Sequence, residues 1–91
     1  MIFPTAFSLG RLVATPTVLD RVPTIEIESA LSRHSGGDWG SVDSEDLAEN
    51  NNAVETDQRI LSDYLSLDGV RFWIVTEADR SSTTILLPEE Y

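Results

Sequence analysis

Apolar positions recur at helical spacing in the first part of the chain and alternate from Arg59 onward. The early part opens with a β-compatible run, Arg11 to Ala14, read as a short edge strand. Thr15 then offers a helix cap with Pro16 at the first helical position, starting a short helix through Val18, Leu19 and Val22 that Pro23 ends. Ile27, Ala30, Leu31 and His34 share one face of a second helix, with Glu26 and Glu28 near its positive end. Gly36 and Gly37 supply the left-handed backbone that stops it near His34.

Asp38-Trp39-Gly40 makes a connector. Asp43 or Ser44 caps a third helix running to about Glu55, with Leu47 and Val54 as its thin apolar stripe. The run Asn50-Asn51-Asn52 lowers helix propensity by several tenths of a kcal/mol per residue, so this helix depends on docking. In the alternating part, Ile60, Ser62, Tyr64 and Ser66 fall on one face of a strand and Leu61, Asp63, Leu65 and Leu67 on the other. Asp68-Gly69 reads as a two-residue hairpin turn. Val70 to Thr76 is the central strand, its Trp73 expected in the core, and Ser82 to Leu87 follows the polar turn Glu77 to Ser81 before Pro88 stops it.

The expected class is α+β: a three- or four-stranded antiparallel sheet with a C-terminal meander and two or three short helices on one face. A chain of 91 residues buries roughly two-thirds of its unfolded surface, enough for one core, so residues 1–91 read as a single acidic domain.

Composition changes the picture through charge. Sixteen Asp and Glu stand against six basic residues, all Arg, for a formal charge of −10. That balance opposes nucleic acid and anionic membranes and favours a basic protein surface as partner. There is no Cys, and His34 is the sole His, so disulfides and Cys-ligated zinc are excluded. No apolar run approaches the ~20 residues of a membrane span, and Met1 to Gly10 lacks the pattern of a secretion signal, so the expected compartment is cytoplasmic.

Asp38, Asp43, Glu45, Asp46, Glu49, Glu55 and Asp57 follow one another with no Lys or Arg between His34 and Arg59. Carboxylates along a helix can imitate the phosphates of a nucleic acid, and Trp39 beside them reads either as a lid over the small core or as an exposed partner anchor. The candidate partner-binding set is therefore Asp38, Trp39, Asp43, Glu45, Asp46, Glu49, Glu55 and Asp57. The competing reading is a solvated helix face.

His34 with Asp38, Glu77 and Asp79 would make a general base or metal site only if they converged. A Ser nucleophile in the Glu77 to Thr84 stretch would need His34 as its base. The chain has no Gly-x-Ser-x-Gly elbow and no phosphate-cradling Gly-rich loop. The expectation is no catalytic or metal site and no cofactor.

The segments His34-Ser35-Gly36-Gly37-Asp38-Trp39-Gly40, Glu49-Asn50, Leu61-Ser62 with Tyr64, Trp73 to Ser81 and Leu86-Leu87-Pro88-Glu89-Glu90-Tyr91 carry a resemblance. Over about two-thirds of its length the chain resembles a group of small acidic proteins encoded on bacterial plasmids and other mobile elements. That resemblance assigns no residue a role. It implies an accessory protein of a mobile element, in a setting where small acidic proteins resemble anti-restriction or anti-CRISPR inhibitors of host defence. The expected function is non-enzymatic occupation of a basic surface on a nuclease or a CRISPR or restriction effector, by a monomer or a homodimer. The alternatives are a structural or regulatory, antitoxin-like homodimer and a small enzyme or metal site around His34 and Glu77.

Overall fold

The computed structural model describes residues 7–91; Met1 to Ala6 lie outside them. Four strands and three helices follow in the order β1 (Arg11–Ala14), α1 (Pro16–Arg21), α2 (Thr24–Ser35), α3 (Ser44–Thr56), β2 (Ile60–Leu65), β3 (Arg71–Thr76) and β4 (Ser82–Leu86). The class is α+β, as the periodicity predicts. A short 3-10 turn, Pro88–Glu90, follows β4.

The sheet runs β1-β4-β3-β2. Strands β2, β3 and β4 form the expected antiparallel meander, whereas β1 joins the β4 edge in parallel, so the sheet is mixed and not purely antiparallel. A crossover permits this orientation. Helices α1 to α3 and two strands intervene between β1 and β4, and a chain returning through helices can lay a strand parallel to its neighbour.

Alternation decides what each sheet face meets. Ile60, Ser62, Tyr64, Phe72, Ile74, Thr76, Thr83 and Ile85 are all buried. Tyr64, Phe72, Ile74 and Ile85 pack with Val18 and Val22 around α1 and with Ile27 and Ala30 of α2. Thr15 caps α1 as expected, its hydroxyl accepting from the Val18 amide at 3.2 Å.

The opposite face is half-covered. Trp73 lies on it rather than in the core, edge-on to Tyr91 at 5.6 Å between ring centroids, and Tyr91 in turn lies under the Arg59 guanidinium. Tyr91 thus folds back on the sheet.

Two local corrections concern turns and docking. The β2–β3 turn is not a two-residue hairpin: Ser66 and Val70 still pair, with the Ser66 amide donating to the Val70 carbonyl at 2.9 Å. Leu67, Asp68 and Gly69 form the loop, closed by Gly69 at φ 84°, the left-handed residue such loops require. Helix α3 keeps only the C-terminal part of its predicted apolar stripe: Val54 packs with Ala53 against Phe7, Trp39 and Ile60. Leu47 is exposed, and the buried residues of α3 are Asn50 and Ala53.

Asn50 in addition docks α3 on the outer edge of β2. Its Nδ2 donates to the Leu61 carbonyl at 2.7 Å and its Oδ1 accepts from the Leu61 amide at 3.3 Å, so one side chain satisfies both edge groups of that residue. Farther along the same edge, the Asp63 amide donates to the Trp39 carbonyl and the Ser41 amide to the Asp63 carbonyl. Gly40 sits between them at φ 74°, where a Cβ would run into the Asp63 carbonyl oxygen. The β2 edge is thus covered at Leu61 and Asp63.

Candidate functional site

Helix α3 carries most of the candidate residues. Asp43 caps it, with Oδ1 accepting from the Asp46 amide at 2.8 Å, and Glu45 and Asp46 fall in the first turn, where the helix dipole favours negative charge. At the other end Asp57 is the C-cap at φ 54°, and the last turn contains no basic residue. Acids there oppose the dipole. The compensating cation comes from the turn between β3 and β4: Arg80 donates from Nη2 to the Ala53 carbonyl at 2.8 Å and from Nη1 to the Gln58 carbonyl at 2.7 Å.

Asp43, Glu45, Asp46, Glu49, Glu55 and Asp57 are all exposed. Among the described residues none of them forms an ion pair. Arg21, Arg33 and Arg71 pair with Glu89, Asp38 and Asp63, while Arg80 is taken by carbonyls. From Asp43 to Asp57 a helix rises about 21 Å, so the five intervals between six carboxylates average about 4.2 Å, somewhat wider than the roughly 3.4 Å along a single DNA strand. Beside α3 runs a trench of about 410 Å³ lined by Asp46, Glu49, Asn50, Arg59 and Leu61 among others.

Asp38 and Trp39 stand apart from this set. The Asp38 carboxylate receives Arg33 Nε at 2.8 Å and Nη2 at 3.3 Å, and this pairing holds its carboxyl below the usual range. Its charge is therefore neutralised locally. Trp39 is 2% exposed, packed against Phe7 and His34, with Nε1 donating to Asn51 Oδ1 at 2.9 Å. Its ring is the lid over the small core, and the reading of Trp39 as an exposed anchor is corrected.

His34 is fully buried on α2, and its partners settle its proton. Thr83 Oγ1 donates to the Leu9 carbonyl at 2.7 Å, which uses its one hydrogen, so Thr76 Oγ1 must donate to Thr83 across 2.7 Å. Thr76 can then only accept from His34, at 2.8 Å, which places the imidazole proton on Nε2. Nδ1 is left to accept from the Ser62 hydroxyl at 2.5 Å. The network closes with every hydrogen used.

That geometry removes His34 from chemistry. Both nitrogens are occupied, Ser62, Thr76 and Thr83 are buried with it, and burial depresses the imidazole to about 4. Asp38 is turned to Arg33, and Asp79 accepts from the Ser81 amide at 3.0 Å in an exposed turn. His34, Asp38, Glu77 and Asp79 do not assemble, and among the described residues no group of three or more His, Asp or Glu is placed to hold a metal.

Two structural residues escaped the sequence reading: Asn50 and Asn51 read as helix weakeners because propensity ignores what a side chain can bond. Arg80 bonds the Glu77 and Ala78 carbonyls within its own turn, and no local pattern marks its reach to Ala53 and Gln58. Ser62 did carry a signal, as a polar residue on the apolar face of a strand opposite the one His. No protein-family model, curated protein or solved structure matches this chain. No helix among the described residues is long and apolar enough to cross a membrane.

Proposed function

We propose that this chain is a non-enzymatic binding protein that lays α3 on a cationic surface of a nucleic-acid-processing partner. The observation that supports it is the run of six exposed carboxylates on and around α3, unpaired among the described residues, in a chain where Arg21, Arg33, Arg71 and Arg80 serve other contacts. A helix built only for the fold gains nothing from acids at its negative end, and like charges one turn apart, as at Glu45 and Glu49, cost it a few tenths of a kcal/mol. A basic groove that normally holds nucleic acid recovers that cost on contact. In this reading the protein acts in the cytoplasm as an inhibitor of the anti-restriction or anti-CRISPR kind, carried by a mobile element. The contact set is Asp43, Glu45, Asp46, Glu49, Glu55 and Asp57.

The test is capture of partners from bacterial lysate by the tagged protein at low and high salt, identified by mass spectrometry. It is paired with the variant carrying Glu45→Gln, Asp46→Asn, Glu49→Gln and Glu55→Gln. These changes leave the Asp43 cap and all core contacts in place. A nuclease or effector subunit retained at low salt, released at high salt and lost by the variant is the expected result. A partner held equally well by the variant would remove α3 from the interface and end the proposal.

A further inference from the structure

The two edges of the sheet are treated differently. The β2 edge is covered at Leu61 by the Asn50 amide and at Asp63 by the Trp39 to Ser41 segment, whereas β1, at the other end of the order β1-β4-β3-β2, has no strand beyond it among the described residues. Arg11 and Thr15 donate inward to the Ser81 and Ile85 carbonyls, so the alternation of a parallel ladder turns the N–H and C=O groups of Leu12 and Ala14 outward. The side chains beside them are open as well, Leu12 at 52% and Val13 at 38% exposure. Backbone groups with no partner strand among the described residues, flanked by apolar side chains, are a template for another strand.

We propose that this edge pairs with the β1 edge of a second copy of the chain, antiparallel about a two-fold axis, to make one continuous sheet. Register is the first argument. Setting Leu12 opposite Ala14 of the second copy joins the outward-facing backbone groups of both strands, and it sets Val13 against its own equivalent on the half-covered sheet face. The pairing is self-complementary: no backbone donor is left facing another donor, and each side chain meets one on its own face.

Charge is the second argument. Every Asp and Glu of the chain lies at or after Asp20, so β1 and the residues before it carry no carboxylate, while Arg11 is positive. Two molecules of charge −10 can approach most easily there. The β1 edge also lies three strand spacings, about 14 Å, from β2 and the acidic α3 beside it. A dimer through β1 therefore puts the two α3 helices at opposite extremes of the joined sheet and leaves both free.

Sedimentation equilibrium of the full chain over a wide concentration range tests this, with amide exchange at Leu12 and Ala14 measured on the same samples. The mass should rise from 10.1 kDa to twice that value as concentration increases. Protection at both amides should rise with it. Added salt should strengthen the dimer, because it screens repulsion between like-charged copies.

Leu12→Pro removes an outward N–H that β4 does not use, and Val13→Glu sets like charges face to face across the axis. Each should raise the dissociation constant at least about tenfold while circular dichroism stays native. Leu67→Ser, which removes an exposed apolar side chain at the hairpin tip, should change nothing. A monomer at every concentration, a dimer indifferent to both β1 variants, or Leu12 and Ala14 amides protected in the dilute monomer would each overturn the proposal.

Discussion

The Arg80 guanidinium stands 2.8 Å from the Ala53 carbonyl, so a residue of the β3–β4 turn caps the C-terminal end of α3, a helix that precedes it by two strands. The same group holds the Gln58 and Glu77 carbonyls and lies over the Phe7 ring at 5.5 Å. It binds the acidic helix to the sheet through carbonyls alone, leaving the carboxylates of α3 free.

Removing that guanidinium should loosen α3 first. Arg80→Ala is expected to cost about 2 to 3 kcal/mol in urea unfolding, the scale for several charge-assisted hydrogen bonds lost together. Because Arg80 sits at φ 61°, Arg80→Gly should lose the same bonds yet be about 1 kcal/mol more stable than Arg80→Ala. Equal losses in the two variants would show that the left-handed backbone carries no strain.

Acid should weaken the fold through His34. The imidazole is depressed to about 4 in the folded state, against about 6.5 when unfolded, so between those values the unfolded chain binds the extra proton and folding loses stability as pH falls. The loss begins near pH 6.5 and is complete near pH 4, reaching about 3 kcal/mol. Asp38, held low by Arg33, adds its own loss only below the ordinary carboxylate range. Urea midpoints from pH 7.5 to 4 should fall less steeply for His34→Gln than for the native chain. Parallel slopes would exclude the buried imidazole as the cause.

Asn50 gives a sharper comparison. Asn50→Ala leaves the amide and carbonyl of Leu61 without the partners Asn50 supplies and should cost about 1 to 3 kcal/mol. Asn50→Asp keeps the acceptor for the Leu61 amide but points an anionic oxygen at the Leu61 carbonyl, so at neutral pH it should be the worse of the two. Lowering the pH to protonate that carboxyl should narrow the gap in chemical denaturation.

Shortening a large aromatic side chain can here be nearly harmless. Trp73 Nε1 and Asp63 Oδ1 are buried without hydrogen-bond partners, and the two residues face each other across β2 and β3. Trp73→Phe removes an unsatisfied donor while keeping a ring against Tyr91, so its cost should stay below about 1 kcal/mol, well under the 3 to 5 expected for truncating a buried Trp. Thermal unfolding of Trp73→Phe beside Trp39→Phe, which empties part of a buried site and loses the bond to Asn51, should separate the two tryptophans.

Much of this architecture was legible because it rests on local pattern. Thr15-Pro16, Pro23 and the alternation from Ile60 to Tyr64 specify their elements through rules acting within a few residues. What stayed hidden depends on distant neighbours. The parallel pairing of β1 needs β4 as its template, and the burial of Trp39 needs Asn51 and Phe7. Of the candidate site, the acids of α3 were visible as composition, whereas the pairing of Asp38 with Arg33 and the burial of Trp39 required coordinates.

The parallel partnership of β1 and β4 also dictates an order of events. Arg11 aligns with Ser82, a separation of 71 residues (82 − 11), so β1 has no place to go until nearly the whole described chain has left the ribosome. The β2–β3–β4 meander closes over short loops and can form early, while β1 must wait for the costliest loop closure in the molecule. The carboxylate-free strand β1 thus has no β4 partner until late in synthesis, and its pairing with β4 is expected among the last steps of folding.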